Sequence, residues 1–329
     1  MEPGYFDTII GRERFQSGWV LWSGPLPLSL EKYDSGCTGN VMVSNSMANI
    51  SVLILTKNEQ QDLPGCLESV AWSDDIHVFD SMSTDDTVAI AEGFGAHVTQ
   101  RDYGACKLSF GGDESAHRNW GLQNIPFKYE WVFVIDADER ATQDLVTAMT
   151  EVVCAPKGFV AFRIQRRDYF LGTWLKHVQA SPYYMRLFMH QKLRYDRLIN
   201  PVSIADGPVG LVSGFLDHFP FSKGIGFWVE RHNSYSRAEA QQIVENRKKL
   251  AFFSFKKAFA AKDFNECRFH QKELFYRLPF RPLIKFLILY VGKRGFLDGR
   301  AGFTYAMLQS IYEYFIVLKT REMESPFVK

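Results

Sequence analysis

A chain of 329 residues, 46% of them apolar, holds enough material for one large α/β domain with appendages and for a sizeable core, which excludes a disordered protein. Its 38 basic and 37 acidic residues leave a net charge of +1, so the global basic footprint of a nucleic-acid binder is excluded and any electrostatic partner is met locally. The five cysteines (Cys37, Cys66, Cys106, Cys154 and Cys267) stand singly without C-x-x-C spacing, the usage of reduced cytosolic thiols rather than of a secreted disulfide framework.

Residues 1–48 are rich in Gly, Pro and Ser and show no sustained period, and they carry Glu2, Asp7 and Glu13 where a signal peptide has a basic leader and an apolar run. They read as an N-terminal extension without an assigned structure. Residues 50–55 form the apolar run of a buried parallel strand, followed by Thr56, Lys57, Asn58 and Glu59 and then by helical spacing through Leu63, Leu67 and Val70. A second strand over 76–79 ends at Asp80, and Ser83 or Thr84, with Asp85 and Asp86, is expected to cap the next helix and supply its acidic first turn. Residues 97–100 predict a third strand, 113–124 a helix, and 131–135 a fourth strand ending in Asp136-Ala137-Asp138. Strands alternating with helices predict an α/β fold with a doubly wound, Rossmann-like, mostly parallel sheet and a ligand at the strand carboxyl ends.

Beyond residue 158 the pattern changes. Strands are expected over 159–164 and 185–189, and a long helix over about 227–262, followed by an apolar, aromatic and basic remainder. The expected organisation is the extension, a catalytic domain over 49–225 and a helical region over 226–329.

Asp136-Ala137-Asp138-Glu139 follows four apolar strand residues. Two carboxylates so spaced at a strand end can grip Mg²⁺ or Mn²⁺, which neutralises a diphosphate leaving group, although an acidic helix-capping loop has the same composition. Asp80 opens the segment FDSMSTDD (79–86), where a carboxylate can accept hydrogen bonds from a nucleoside or serve as a cap; one such residue is enough to cap, so Asp80 is expected to face a ligand.

Taken together, LTKNE (55–59), FDSMSTDD (79–86), HRNWGL (117–122) and VIDADE (134–139) resemble, in order and spacing, glycosyltransferase family 2 on a GT-A fold. Downstream, RRDYFLGTW (166–174), MRLF (185–188), ERHNSYSRAEA (230–240) and GFLDGRAGF (295–303) resemble the subgroup of bacterial lipopolysaccharide-core β-1,4-glucosyltransferases, so the resemblance spans about 50–320. It implies inverting transfer from a nucleoside-diphosphate sugar, with a carboxylate as base and a divalent ion assisting departure. It also implies that Thr56, Asn58, Glu59 and Asp80 surround the nucleotide, and that Asp136 and Asp138 hold the metal and diphosphate. Arg118 is then placed to meet phosphate or sugar oxygens, or else forms a surface ion pair.

The subgroup carries an acidic residue shortly before an Asp-Gly-Pro-Val-Gly segment. Here Asn200-Pro201 precedes DGPVG (206–210), and proline is no base, so Asp113, Glu114, Asp206 and Asp217 all stand as candidates. His218 falls where the family often has a histidine, either a third metal ligand or a structural ring.

The apolar stretches 283–291 and 303–318 are interrupted by Lys285, and by Gln309 and Glu313, so neither reaches the roughly 20 residues that span a bilayer. Between 272 and 300, Lys272, Arg277, Arg281, Lys285, Lys293, Arg294 and Arg300 face only Glu273 and Asp298. That composition predicts helices resting on an anionic membrane surface, hence a peripheral protein at the cytoplasmic face with a lipid-linked or cell-surface acceptor, while a packed core or a subunit interface is the other reading of it. Two rival functions are a nucleotidyltransferase, disfavoured because LTKNEQQD (55–62) lacks a glycine-rich phosphate loop, and a catalytically silent sugar-nucleotide-binding protein.

Overall fold

The computed structural model describes residues 49–102, 114–196, 202–248, 254–260 and 264–325. They fall into two compact units, one holding 49–174 and 181–222, the other 175–180 and 223–325.

In the first unit β1 (Ile50–Thr56) leads to α1 (Leu63–Val70), β2 (Ile76–Asp80) to α2 (Thr87–Gly93), and β3 (His97–Gln100) to α3 (Glu114–Asn124). Then come β4 (Trp131–Asp136), β5 (Glu139–Ala141), α4 (Gln143–Cys154), β6 (Ala161–Phe170), β7 (Thr173–Trp174), β8 (Tyr183–Met189), β9 (Leu193–Asp196), β10 (Val202–Ala205) and β11 (Val209–His218). The large sheet has the order β3-β2-β1-β4-β8-β6-β11-β5, with β7 on β6, and β9 and β10 form a separate pair. The β3-β2-β1-β4 half is parallel, β8 is antiparallel to both neighbours, and β11 runs parallel to β6. This is the expected α/β, GT-A-like arrangement of a mostly parallel mixed sheet.

The apolar run of β1 is explained by its place between β2 and β4, where both faces are covered. Ile50, Val52 and Ile54 pack with Phe133 and Ile135 against Leu63 and Leu67 of α1 and Leu145 and Met149 of α4. Leu53 on the other face joins Phe79, Val132, Val134 and Leu122 of α3. Helix α4 starts where Thr142 Oγ1 accepts a hydrogen bond from the Leu145 amide at 3.3 Å, a cap that contributes about 1 kcal/mol. Register pairs Thr56 with Asp80 and Leu55 with Asp136, so parallel strands deliver three motif segments to one edge.

Helix α2 departs from expectation: it begins at Thr87, with Asp86 before it and no acidic first turn. Ser83 and Thr84 are engaged elsewhere, as described below.

The second unit contains α5 (Gly224–Lys248), α6 (Phe255–Ala260), α7 (Phe264–Arg277), α8 (Arg281–Leu287) and α9 (Gly299–Glu324). The helix expected over 227–262 is thus two described helices, and Ser254 caps the second by accepting from the Lys257 amide at 3.4 Å. Helix α9 begins where Gly302 meets the Gly295 carbonyl so closely that an added Cβ would lie 2.0 Å from its oxygen. Asp298 ties segment 175–180 to this unit, accepting from the His177 and Val178 amides at 2.9 and 2.7 Å and contacting His177 Nδ1 at 2.7 Å.

Two of the cations expected on the membrane-facing side are inside. Arg281 and Lys285 are buried, and Arg281 Nε lies 3.2 Å from Glu313 Oε1, itself fully buried on α9. The reason is periodic: Arg281 and Lys285 share the α8 face opposite Leu283 and Leu287, and that charged face is the one packed inward. No helix among the described residues is long and apolar enough to cross a membrane.

Candidate active site

The first two motifs interlock. Asn58 sits just past β1 with φ 56°, a left-handed conformation that asparagine tolerates, and from there its amide donates to Ser83 Oγ at 2.8 Å while its Oδ1 accepts from the Thr84 amide at 2.8 Å. The Glu59 amide donates to Thr87 Oγ1 at 2.8 Å. Asp80 is the hub: Oδ1 accepts from Thr56 Oγ1 at 2.9 Å and Ser83 Oγ at 2.5 Å, and Oδ2 accepts from the Ser83 amide at 2.8 Å and Gln100 Nε2 at 3.0 Å. Asp80 was expected to face a ligand, yet it is fully buried and these four donors match the capacity of a carboxylate. Ser83 and Thr84 are therefore spent on Asp80 and Asn58, which is why neither caps α2.

HRNWGL packs beneath this loop. His117 stacks on Phe79 with ring centroids 4.1 Å apart and its Nε2 meets Ser81 Oγ at 3.2 Å; burial, with Arg101 and Arg118 nearby, pushes it down to about 4, so it is a neutral ring. Gly121 admits Phe79, whose ring would lie 2.8 Å from an added Cβ. Asn119 pairs with the Tyr195 backbone in both directions, at 2.8 and 2.7 Å, binding α3 to β9. Arg118 is held by Glu114 one turn earlier at 2.8 Å, and its charge also acts on Asp136.

The acidic motif at the end of β4 lies in a dense charge cluster. Arg186, from β8, donates to Asp136 Oδ2 at 2.6 Å and to Glu139 Oε1 at 2.8 Å, while Glu139 Oε2 accepts from the Asp136 amide at 2.9 Å. Burial disfavours the Asp136 charge, but Arg186, Arg118 and Arg166 outweigh it and hold the group well below the usual carboxylate range. Glu139, with no exposed surface, is pushed up by burial despite Arg186.

On the next strands Arg166 Nε lies 3.0 Å from Asp168 Oδ1, and His218 is clamped between Asp168 Oδ1 at Nδ1, 2.5 Å, and Asp138 Oδ2 at Nε2, 3.2 Å. Burial and Arg166 oppose charge on His218, yet the two carboxylates push it up to about 9. Asp138 is lowered in turn, the His218 charge overcoming the effect of burial. Strand alternation puts Arg166, Asp168 and His218 on one face of the sheet and Arg167 and Asp217 on the other, where Arg167 takes both Asp217 oxygens at 2.6 and 2.9 Å.

The expected residues are thus partly assembled. Asp136, Asp138 and His218 share the cluster, Glu114 and Arg118 pair with each other, and Thr56, Asn58, Glu59 and Asp80 form the adjoining loop clasp. Asp206 is highly exposed in the turn before β11, 3.8 Å from Lys192 Nζ. Asp113 and Pro201 lie outside the described residues. Sequence reasoning did not single out Arg186, Arg166 or Asp168. Their signal was present in RRDYF, a run of three charges within strand β6, and in MRLF, a single arginine within an apolar strand.

Among the described residues no three His, Cys, Asp or Glu side chains converge as a ready-made metal set. The oxygen donors of Asp136 and Asp138 nevertheless suit Mg²⁺ or Mn²⁺, because both side chains reach solvent, at 33% and 26% exposure, and such ions take one or two carboxylates together with substrate phosphates. His218 has each ring nitrogen against a carboxylate, Asp168 at Nδ1 and Asp138 at Nε2, so in this arrangement neither nitrogen is turned toward an ion.

The chain belongs to glycosyl transferase family 2, whose description matches residues 51–216. Among curated proteins it is 28% identical, over 82% of its own length and 91% of the relative's, to the lipopolysaccharide core biosynthesis glycosyltransferase LpsC of Rhizobium meliloti. It is 26% identical, over 63% of its length and 72% of the relative's, to an uncharacterised glycosyltransferase of Rickettsia typhi. Among solved structures it resembles glucosyl-3-phosphoglycerate synthase from Mycobacterium tuberculosis in complex with Mn²⁺, UDP-glucose and phosphoglyceric acid, at 21% identity and a TM-score of 0.34. That likeness covers 43% of this chain and about half, 52%, of the other.

Proposed function

We propose that the chain is an inverting, divalent-metal-dependent glycosyltransferase that moves a hexose from a nucleoside-diphosphate sugar, most simply a UDP-hexose, to a lipid-linked or cell-surface glycan such as lipopolysaccharide core, working peripherally at the cytoplasmic face of the membrane. The observation that carries the reading is the pair of part-exposed carboxylates, Asp136 and Asp138, kept ionised at the end of β4 by Arg186 and His218. The likeness to LpsC supports the acceptor class.

In this reading Asp136 and Asp138 hold the ion, which when bound neutralises the departing diphosphate. Arg186 aims Asp136, and the Asp168–His218 pair aims Asp138, as an outer-shell partner orients a ligand. Thr56, Asn58 and Glu59 frame the nucleotide, and Asp80 locks their loop. Arg118 adds positive charge near the diphosphate. None of the described base candidates is placed for the role: Glu114 is held by Arg118, Asp217 lies on the opposite face with Arg167, and Asp206 sits beside Lys192 at the start of β11, the sheet edge opposite Asp136 and His218. A carboxylate base would take the acceptor proton as the hydroxyl attacks the anomeric carbon and the carbon–diphosphate bond breaks.

A panel of UDP-, GDP- and TDP-sugars, scored for slow hydrolysis with Mg²⁺ or Mn²⁺ and for the anomeric configuration of the first product, tests the reading. One donor cleaved with inversion is expected. Retention, or cleavage of none, overturns it.

A further inference from the structure

The second unit exposes stripes of large apolar side chains on two of its helices while burying charged ones. On α9 the inward residues are Ala301, Gly302, Ala306, the buried Glu313, Ile316 and Thr320, whereas the outward stripe, at intervals of four, is Phe303, Met307 and Ile311, each 40–45% exposed. Helix α8, joined to α9 through Ser310 Oγ donating to the Pro282 carbonyl at 2.7 Å, buries Arg281 and Lys285 while Leu283 and Leu287, with Val291 in the π-helical turn that follows, are 47–57% exposed at the same spacing. Water alone selects the reverse order, with charge out and apolar in. Six large apolar side chains on two packed helices make a continuous face of the kind that marks an interaction site rather than scattered surface residues. Ahead of α8, Phe280 adopts φ 53° and is 78% exposed, an unfavourable backbone state for an aromatic residue that projects its ring from the same end.

Charge identifies what covers this face. Arg277 at the end of α7, Arg294 between α8 and α9, and Arg300 in the first turn of α9 are exposed, and the one acidic residue between 277 and 312, Asp298, is buried against His177. A second copy related by a twofold axis would set these cations against their own images, since such an interface places a patch on itself. A bilayer surface with anionic headgroups accepts both features, the apolar side chains entering the acyl boundary and the arginines meeting phosphate.

We infer that the outward face of α8 and α9, with Leu283, Leu287, Val291, Phe303, Met307 and Ile311 as the inserting side chains and Arg277, Arg294 and Arg300 as the headgroup contacts, docks the protein on an anionic lipid bilayer. The inference rests on the peripheral-membrane part of the proposed function and replaces its anchoring residues, because Arg281 and Lys285 serve inside the unit.

The test is flotation of the full chain with vesicles of phosphatidylcholine alone or with 30% phosphatidylglycerol (an amount of roughly the order that sets a physiological surface charge), run beside light scattering in detergent-free buffer and donor hydrolysis in solution. The wild type should float with the anionic vesicles and less so at high salt. Leu287→Gln with Met307→Gln and Ile311→Gln should weaken partition to both vesicle types by about tenfold or more, as inserted apolar area is lost. Arg277→Gln with Arg294→Gln and Arg300→Gln should cost about a hundredfold on anionic vesicles only, at about 1 kcal/mol for each cation. Arg281→Gln with Lys285→Gln should not act as headgroup contacts do: its partition should show no dependence on the anionic lipid beyond that of the wild type. A wild type that stays unbound, or an apolar variant that floats normally while splitting a dimer, overturns the inference. Donor hydrolysis that persists in that case leaves the catalytic reading standing, and flotation without hydrolysis does the reverse.

Discussion

Replacing Arg186 by methionine keeps most of the side-chain volume and deletes the charge that joins β8 to the acidic motif. In the native chain this nearly buried guanidinium lies 2.6 Å from Asp136 and 2.8 Å from Glu139, and Glu139 has no exposure to water. The substitution leaves Glu139 with Arg166 at 3.7 Å as its nearest described cation and removes two charge-assisted hydrogen bonds. Breaking one partner out of such a cluster costs about 3–5 kcal/mol, mostly the desolvation of the charge left behind. For a unit of this size that corresponds to a fall in Tm of about 6–20 °C. Denaturant unfolding followed by the fluorescence of the seven tryptophans, among them Trp131 buried at the start of β4, reads the loss. Adding Glu139→Gln should return part of it, because an amide tolerates burial without a counter-charge, and the two changes should be strongly non-additive. A loss below about 1 kcal/mol, or a double variant no better than the single one, would refute the claim that Arg186 neutralises this motif.

Two further outcomes follow from the same geometry. His218 is raised from 6.5 to about 9, so its contribution is fully present below pH of about 6.5 and is lost as pH rises through about 9; the stability gap between wild type and His218→Gln, up to about 3 kcal/mol, should close over that window in urea titrations, and a gap that widens would reverse the assignment. Asp80→Ala removes the acceptor for four donors that tie the loops at 55–59 and 79–86, so the donor KM should rise more than kcat falls; an unchanged KM with a large drop in kcat would put Asp80 at the reacting centre instead.

Much of the first unit was legible in the residues. The runs at 50–55 and 131–135 are apolar on both faces because their strands are interior and parallel, and the Asp80 and Asp136 positions follow from strands of matched register. The partners of those carboxylates were not legible as such. Arg186 lies 50 residues beyond Asp136 and reaches it only through antiparallel β8, and Asp168, 30 residues beyond Asp138, is joined to it only through His218, which the β6–β11 pairing brings alongside; spacing within a motif does not reveal either. Composition also misled at the C-terminus, since counting cations over 272–300 ignores which helix face each one takes. The period at 283, 287 and 291, set against 281 and 285, held that information.

The central claim, that Asp136 and Asp138 serve metal-assisted departure of a nucleoside diphosphate, is tested most directly by release of the nucleoside diphosphate from the preferred donor, with and without Mn²⁺, in wild type and Asp138→Asn. The account predicts release that requires the ion and falls by more than about 100-fold in the variant, with the unfolding transition retained. Release that continues at near wild-type rate in Asp138→Asn, or in the presence of a chelator, would contradict it.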